Sequence, residues 1–359
     1  MKMSLTCPNG SYELDIRYRG NKILSASSRF GYCERNILDH IKNTSALKGL
    51  PFIERIDPYS SQHYSLCFCS IMEQALGIQE DQKLSKIRTI LLELERMLSH
   101  AYYIKTIIKS SENIALYNLI VAIKDALLDV LEEITGRRIY ATAHYFGGLN
   151  FNISNGNVKL IENTCGKIRT DLKEFHDIFF DNPSLRSVLE NEATIDKKTA
   201  AKMTGPISWI NSEIKDLRLT NPYLGYQDNE VRKTLSKKLR SETNCIYTRL
   251  LIIAEDVKNS LDVISTLISK DDIIYTNNDR LTDNFSPKSG EYSSIMETPK
   301  GLLTMTASIG ERSIIEKLSI KSPSETNDIC VNNALNGCRV EQVDLAFKSL
   351  YLSPMEIDR

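Results

Sequence analysis

Long stretches of helical periodicity dominate the middle of the chain. Apolar residues recur at spacings of three and four over 84–108, 114–134 and 160–180, and the stretch 232–268 contains no Gly or Pro. This spacing collects the apolar side chains on one face of each helix, and that face is stable only when other elements cover it. The sequence therefore predicts a helical core over about 51–268 and a predominantly helical α+β fold.

Strand patterns flank this core. Tyr12, Leu14, Ile16 and Tyr18 alternate with other residues, and a polar turn separates them from Ile23. Alternation on both sides of a turn predicts a β-hairpin, so we assign residues 1–50 to an N-terminal β region. Residues 295–359 are assigned to a small C-terminal α/β part.

The shorter segments are predicted from local spacing and from turn residues. They are helices over about 35–47 (ending near Gly49 and Pro51), 65–76, 194–203 and 343–350, a strand over 150–153, a polar loop over 270–294, and two strands built on residues 314, 318, 320 and 329.

Charge and composition exclude several classes of protein. Lys and Arg number 45 against 46 Asp and Glu, so the broad basic field of a nucleic-acid-binding protein is absent. A hydrophobic content of 42% excludes a disordered chain. No apolar stretch approaches the ~18 residues that a membrane span needs. We expect a soluble intracellular protein that meets a membrane only peripherally or through partners.

Local motifs identify no self-contained active site. Cys67 and Cys69 are two residues apart on a predicted helix, so their thiols point to opposite sides and cannot share a metal ion. Glu93, Arg96 and His100 form a polar stripe on one face of an apolar helix. Spacing alone leaves open whether this stripe faces solvent or forms a functional network.

A set of motifs in a fixed order carries a family resemblance. They are Gly31–Asn36, Arg55–Pro58, Glu73, Arg88–His100, Gly136–Arg138, Gly147–Gly148, Thr204–Pro206, Asp216–Arg218, Pro222–Tyr226, Pro287–Glu291, Glu297–Gly301, Ile320–Pro323 and Asp358–Arg359. In this order the chain resembles the large-subunit family shared by membrane-bound nickel–iron hydrogenases and NADH-quinone oxidoreductases (complex I, 49 kDa type). The resemblance implies that family's fold in one domain over 1–359, although the length would allow two domains.

The resemblance also indicates which chemistry is lost. Hydrogenases of this family bind nickel and iron through two pairs of cysteines. Here the matching positions are Asp57 and Ser60 in the first pair and Ser353 and Glu356 in the second. Because soft thiolates hold that centre, oxygen ligands do not replace them. The family pattern therefore implies no nickel–iron hydrogenase activity and no metal bound by this chain.

In the complex I branch the vacated cavity holds a quinone headgroup, which two donor side chains contact. Ungapped register places Asn9 at the first donor position and Pro58 at the second, with Tyr59 adjacent to it. We add Tyr32 and Arg35 as further residues around the acceptor cavity. Asn9 can donate through its amide, but Pro58 has no side-chain donor.

The family resemblance implies a structural role for the polar stripe. A helix in the middle of such a protein is buried, and an unpaired buried charge is costly. We therefore expect Arg88, Glu93, Arg96 and His100 to form a supporting buried network, with Glu73 as a further candidate.

The resemblance implies an oxidoreductase component of the NADH dehydrogenase kind. Such a chain passes electrons from an iron–sulfur cluster on a small partner subunit to a quinone or similar acceptor and binds no cofactor itself. The implied partners are that small iron–sulfur protein, a protein like the complex I component of C type, and membrane-arm components, on the cytoplasmic side of a membrane. The alternative is a catalytically inactive structural or coupling component of the same kind of complex.

Overall fold

An antiparallel three-stranded sheet lies at the N-terminal end. A computed structural model describes residues 1–7, 10–79, 81–109, 113–209, 215–236, 242–270, 273–276 and 286–359. The predicted hairpin is formed by β2 (Gly10–Arg19) and β3 (Lys22–Arg29). A further strand, β1 (Lys2–Cys7), pairs with the other edge of β2 and was not predicted from the sequence. Tyr12, Leu14 and Ile16 on β2 all point into the core.

Helices form most of the remaining structure up to residue 270. They are α1 (Ile37–Ile41), α2 (Ala46–Glu54), α3 (Ser61–Leu76), α4 (Gln82–Ile108), α5 (Ile114–Thr135), α6 (Asn155–Phe179), α7 (Pro183–Leu189), α8 (Lys197–Ala200), α9 (Leu217–Thr220), α10 (Asn229–Leu235) and α11 (Ile246–Lys270). A two-stranded hairpin of β4 (His144–Tyr145) and β5 (Gly148–Leu149) lies between α5 and α6. Asp81 caps α4 by accepting bonds from two backbone amides, at 3.0 and 3.2 Å.

A second antiparallel sheet and short helices complete the fold. Its strands are β6 (Gly290–Thr298), β7 (Gly301–Ile309) and β8 (Ile315–Lys321), with β7 in the centre. The helices that follow are α12 (Pro323–Asn327), α13 (Val331–Leu335), α14 (Val343–Lys348) and α15 (Pro354–Ile357).

Two apolar clusters share the helix α4. The larger cluster joins the N-terminal sheet to α4, α5, α6 and α11, and the smaller one joins α1, α2 and α3 to the second sheet. Leu92 on α4 belongs to the smaller cluster, whereas Leu91 and Leu94 belong to the larger one. Because both sides of α4 are covered, a charged residue in its middle is enclosed by protein.

The predicted helix over 232–268 is wrong in its middle. Residues up to Leu235 form α10, and α11 begins only at Ile246. Before α11, the backbone carbonyl of Asn244 accepts from the amide of Ile195, and its side-chain amide donates to the carbonyl of Ile207 at 3.0 Å. These distant partners hold Asn244 outside a helix, which local spacing cannot reveal.

Several shorter predictions also fail. The single helix over 35–47 is two helices, and α2 continues through Gly49 and Pro51, where an end was expected. The helix over 194–203 reduces to α8, and residues 150–153 contribute only an isolated bridge between Ile153 and Tyr275. Ile329 lies in a short 3-10 helix, not in a strand, and is half exposed.

The α+β, predominantly helical fold class is confirmed. The division at 50, 268 and 295 stays a prediction, although α2 crosses residue 50 and β6 begins at Gly290. Among the described residues, no helix is both long and apolar enough to cross a membrane.

Candidate functional site

The four positions matched to metal-binding cysteines converge on one lysine. The Nζ atom of Lys300 lies 2.7 Å from Asp57 Oδ2, 3.0 Å from Ser60 Oγ and 3.5 Å from Glu356 Oε1. Ser353 donates to the other oxygen of Asp57 at 2.8 Å. All five side chains are buried. We call these residues the Lys300 cluster.

Three separate parts of the chain build the Lys300 cluster. Asp57 and Ser60 lie in the turn that leads into α3, and Ser60 is the N-cap of that helix. Lys300 lies in the tight turn between β6 and β7, and Ser353 and Glu356 come with α15. Lys300 and Asp57 are 243 residues apart in sequence, so only the tertiary fold brings them together.

Two glycines clamp the turn that carries Lys300. Gly205 and Gly301 have positive φ angles of 76° and 138°, and their backbones touch. A Cβ atom on Gly205 would lie 2.2 Å from the carbonyl oxygen of Lys300, far inside any permitted contact. The Thr204–Pro206 and Glu297–Gly301 motifs therefore serve one local purpose, which is close packing around Lys300.

Gly205→Ala is expected to destabilise the protein far more than Gly136→Ala. Both glycines have a φ of 76°, but a Cβ on Gly136 meets nothing within 4 Å. Gly136→Ala should therefore cost only the ~1–2 kcal/mol of a left-handed non-glycine residue. Gly205→Ala adds a clash with a rigid backbone, and we expect at least twice that loss in urea unfolding. Equal losses would contradict the packing described for Gly205.

In the Lys300 cluster, attraction between opposite charges offsets the energetic cost of burying them. Burial disfavours the charged ammonium, but Asp57 and Glu356 outweigh it and raise the pKa of Lys300. Burial raises the pKa of Glu356 to about 7, against the attraction of Lys300. Ser324 donates to the Oε2 atom of Glu356. The cluster thus holds one cation between two carboxyl groups.

The Lys300 cluster does not fit a nickel–iron centre. It offers two carboxyl groups and two hydroxyls where thiolates would be needed, and an ammonium group lies between them. Within the described ranges, no group of three His, Cys, Asp or Glu side chains is placed to hold a metal ion. We therefore derive no chemistry through such a metal.

A second buried network, the Arg218 network, centres on Arg218. Its guanidinium bonds to Glu93 at 3.1 Å, to Asp216 at 2.9 Å and to Asp256 at 3.0 Å. Arg96 also bonds Glu93 at 3.1 Å. Burial would raise the pKa of Glu93, but Arg96 and Arg218 outweigh it and lower that pKa to about 2. Tyr226 donates a further hydrogen bond to Glu93, and His100 Nε2 lies 3.1 Å from Asp256.

The Arg218 network adjoins the Lys300 cluster. Arg96 donates to the backbone carbonyls of Glu297 and Thr298, at 2.6 and 3.0 Å, and so holds the strand end that leads to Lys300. His100 Nδ1 lies 3.0 Å from the hydroxyl of Tyr351, whose ring lies 5.8 Å from Lys300 Nζ. The two sets of charges are therefore neighbours in one buried polar region.

The remaining pair of the expected network lies apart. Arg88 bonds Glu73 with both terminal nitrogens, at 2.7 and 3.2 Å, and donates to the carbonyl of Tyr145. Glu73 also accepts from the amide of Gly147 at 2.8 Å. This pair supports the β4–β5 hairpin, and no bond among the described residues links it to Glu93.

The acceptor-cavity candidates are only partly brought together. Arg35 donates to the carbonyls of Ile56 and Met355, at 2.9 and 3.3 Å, and so fixes the turn that carries Asp57. Pro58 and Tyr59 are half-buried in that turn. Tyr32 is 55% exposed and bonds Glu13 at 2.6 Å, with no contact to Tyr59 among the described residues. Asn9 lies outside the described residues.

A buried carboxyl group lies beside this region at the end of α2. Glu54 accepts from the amide and the hydroxyl of Thr142, at 2.6 and 3.2 Å. Thr142 has a positive φ of 48°, so Glu54 holds a strained loop. Burial raises the pKa of Glu54 to about 7, against the bonds from Thr142.

Glu54→Gln is expected to flatten the pH dependence of stability between pH 5 and 7. Because the pKa of Glu54 is higher in the folded chain than in the unfolded one, folding takes up a proton and stability falls as pH rises through this window. The substitution should remove up to ~1.4 kcal/mol per pH unit of that slope, measured by urea unfolding. Glu190→Gln, at a partly exposed position paired with Arg186, serves as the control. Equal slopes in all three proteins would contradict the assignment.

The sequence patterns did not reveal the residues that complete both charge clusters. Lys300 stands within the Glu297–Gly301 motif, which gave no hint of its partners. Asp216 and Arg218 were noted as a motif but not as ion-pair partners. Asp256 is buried on α11, and an acidic residue on the apolar face of a predicted helix was the one signal that the sequence offered.

The fold gathers the four positions that match metal ligands in the resembled hydrogenases around one ammonium group, that of Lys300. Comparison with known proteins supports the resemblance to the hydrogenase and complex I class. The sequence profile of the family "Respiratory-chain NADH dehydrogenase, 49 Kd subunit" matches residues 113–278. The D subunit of NADH-quinone oxidoreductase from Campylobacter curvus (strain 525.92) is 23% identical over 98% of this chain and 91% of its own length.

Further relatives and a solved structure agree. The fused C/D protein of NADH-quinone oxidoreductase from Phocaeicola vulgatus is 24% identical over 72% of this chain and 50% of its own length. A chain in the structure of the membrane-bound sulfane sulfur reductase, an archaeal respiratory membrane complex, has a TM-score of 0.90 at 19% identity, covering 100% of this chain and 98% of that one. The resemblance drawn from the motifs is confirmed: the chain is similar to D subunits of NADH-quinone oxidoreductase over most of its length and has the fold of a chain from a respiratory membrane complex.

Proposed function

We propose that this chain is part of a membrane-associated respiratory complex and passes electrons from an iron–sulfur cluster on a small partner subunit to a quinone or similar acceptor. Support comes from the names of its relatives, which are components of quinone oxidoreductases matched over 98% of the chain. The solved structure with the same fold belongs to a respiratory membrane complex.

One observation carries the proposal: the Lys300 cluster. In the resembled hydrogenases, the four matching positions bind a redox-active metal centre. In this chain the same four positions lie together, and a salt bridge between Lys300 and Asp57 occupies the space between them. The cluster therefore offers no thiolate ligands for a metal that could activate hydrogen. The ion pairs of the adjoining Arg218 network are nevertheless present. Transfer to an organic acceptor beside the cluster needs no such ligands.

We place the acceptor beside the turn of Pro58 and Tyr59. Pro58 offers no side-chain donor, so Tyr59 is the donor that we assign to one carbonyl of the acceptor. Burial raises the pKa of Tyr59, which keeps its hydroxyl protonated and available as a donor. Arg35 acts through the backbone, because it fixes the turn that carries these residues. Asn9 and Tyr32 remain candidates for the second contact.

The proposed partners follow from the same relatives. The relative in which C and D proteins are fused suggests that a C-like protein lies against this chain. The small iron–sulfur protein supplies the electrons, and membrane-arm components hold the chain at the cytoplasmic side of the membrane as a peripheral component.

A structural or coupling role is the second candidate. It is favoured by the loss of both usual donor side chains, since Asn9 and Pro58 stand at their positions. In that case the chain would hold the small iron–sulfur protein against the membrane arm without turnover.

Turnover by the intact complex separates the two functions. The purified complex is supplied with reduced methyl viologen, and reduction of decylubiquinone is followed for wild type, Tyr59→Phe and Asn9→Ala. We expect wild-type turnover and at least a ~10-fold loss in Tyr59→Phe, since a positioned acid typically contributes ~10²–10⁴-fold. Tyr18→Phe, on the exposed end of β2, is the control. Turnover unaffected by Tyr59→Phe and Asn9→Ala would refute the site, and no turnover with any acceptor would favour the structural role.

A further inference from the structure

Tyr59 is paired with a second tyrosine, Tyr102. Tyr102 lies on α4, and the centroids of the two rings are 3.9 Å apart with 33° between their planes. Both rings are half-buried, so the pair lies where the buried polar region meets the surface.

A cation covers the Tyr102 ring. The Nζ atom of Lys105, three residues further along α4, lies 4.2 Å from the centroid of that ring. A cation at this distance is attracted to the electron-rich face and restricts the motion of the ring. Tyr59, Tyr102 and Lys105 thus form a stack anchored on the long helix α4, which is itself fixed on both sides by the core.

The neighbouring tyrosine on α4 points elsewhere. Tyr103 is fully buried and donates to the carbonyl of Ser349 at 2.8 Å. Consecutive residues on a helix differ by about 100° in direction, so only Tyr102 faces the turn that carries Tyr59. Tyr103 therefore provides a matched control on the same helix.

We propose that Tyr102 is a positioning residue for Tyr59: its ring packs on the Tyr59 ring and so holds the Tyr59 hydroxyl in the orientation that meets the acceptor. This inference rests on the proposed function. A preorganised donor accelerates a reaction because its orientation does not have to be found during the reaction. An aromatic pair contributes about 1 kcal/mol beyond the area that it buries, which corresponds to about a fivefold change in rate.

Removing the Tyr102 ring and keeping it predict different kinetic effects. Tyr102→Leu removes the ring that stacks on Tyr59, so we expect kcat for decylubiquinone to fall about fivefold. Tyr102→Phe keeps the ring and should leave kcat within about twofold of wild type. Tyr103→Phe loses a buried hydrogen bond and should lower the stability of the complex while leaving kcat per complex unchanged.

A double-variant cycle tests whether Tyr102 acts through Tyr59. In the intact complex carrying Tyr59→Phe, adding Tyr102→Leu should change kcat by less than about twofold, because the hydroxyl that the Tyr102 ring positions is already gone. Full additivity, or an unchanged kcat in Tyr102→Leu, would overturn the inference.

The outcomes distinguish this inference from the function on which it rests. If wild type turns over and Tyr59→Phe is slow while both Tyr102 variants are normal, the inference fails and the proposed function stands. If wild-type complex reduces no acceptor, both fail.

Discussion

Replacing Lys300 with methionine is expected to lower the free energy of unfolding by about 3–5 kcal/mol. Methionine is close to lysine in length but carries no charge, so it leaves Asp57 and Glu356 buried with no cation between them. A buried charge that loses its partner keeps the full cost of desolvation. Urea unfolding of the purified chain measures the loss.

A compensating variant distinguishes charge from packing in the Lys300 cluster. Asp57→Asn combined with Lys300→Met removes both charges of the 2.7 Å ion pair, while Glu356 is left able to take up a proton. We expect the double variant to recover most of the loss seen in Lys300→Met. A loss below ~1 kcal/mol in the single variant, or no recovery in the double variant, would contradict the role assigned to Lys300.

Arg218→Met is expected to be more damaging still. Arg218 is fully buried and bonds three carboxylates, those of Glu93, Asp216 and Asp256. Without it, Arg96 still bonds Glu93 at 3.1 Å, and His100 offers only a neutral ring because burial lowers its pKa. We expect the loss to exceed the ~3–5 kcal/mol of a single broken buried pair, so that the variant is recovered mainly unfolded.

Two further variants keep this prediction testable. Arg218→Lys keeps the charge but loses the planar fork that bonds several carboxylates at once, so we expect a folded chain of intermediate stability. Arg138 forms exposed pairs with Asp129 and Glu132, and Arg138→Met should leave the urea midpoint unchanged. Equal effects of Arg218→Met and Arg138→Met would show that the Arg218 network contributes little to the fold.

Local periodicity was sufficient for the long helices. The expected ranges 84–108 and 114–134 agree within two residues with α4 and α5, because a continuous apolar face of this length has few other stable arrangements. The break before α11 was missed because it depends on Asn244 bonding Ile207 and Arg249, residues that packing brings together. The strand β7 alternates buried and half-buried residues, a pattern that was not recognised in the sequence.

The site was predictable only where its residues share one helix. Glu93, Arg96 and His100 were recognised as a stripe because helical spacing places them on one face. Their partners were not, since Arg218 lies 125 residues from Glu93 and Asp256 lies 156 residues from His100. The family motifs marked the positions 57, 60, 353 and 356, but the lysine that joins them became visible only in the folded chain.

Reoxidation of the partner cluster in a single turnover tests the proposed electron transfer most directly. The intact complex is reduced with dithionite, mixed rapidly with decylubiquinone, and the electron paramagnetic resonance signal of the reduced iron–sulfur cluster is followed in wild type and in Tyr59→Phe. The account predicts rapid loss of the signal in wild type and a loss at least ~10-fold slower in Tyr59→Phe. A signal that persists in wild type would contradict transfer through this chain, and equal rates in both proteins would contradict the placement of the acceptor at Tyr59.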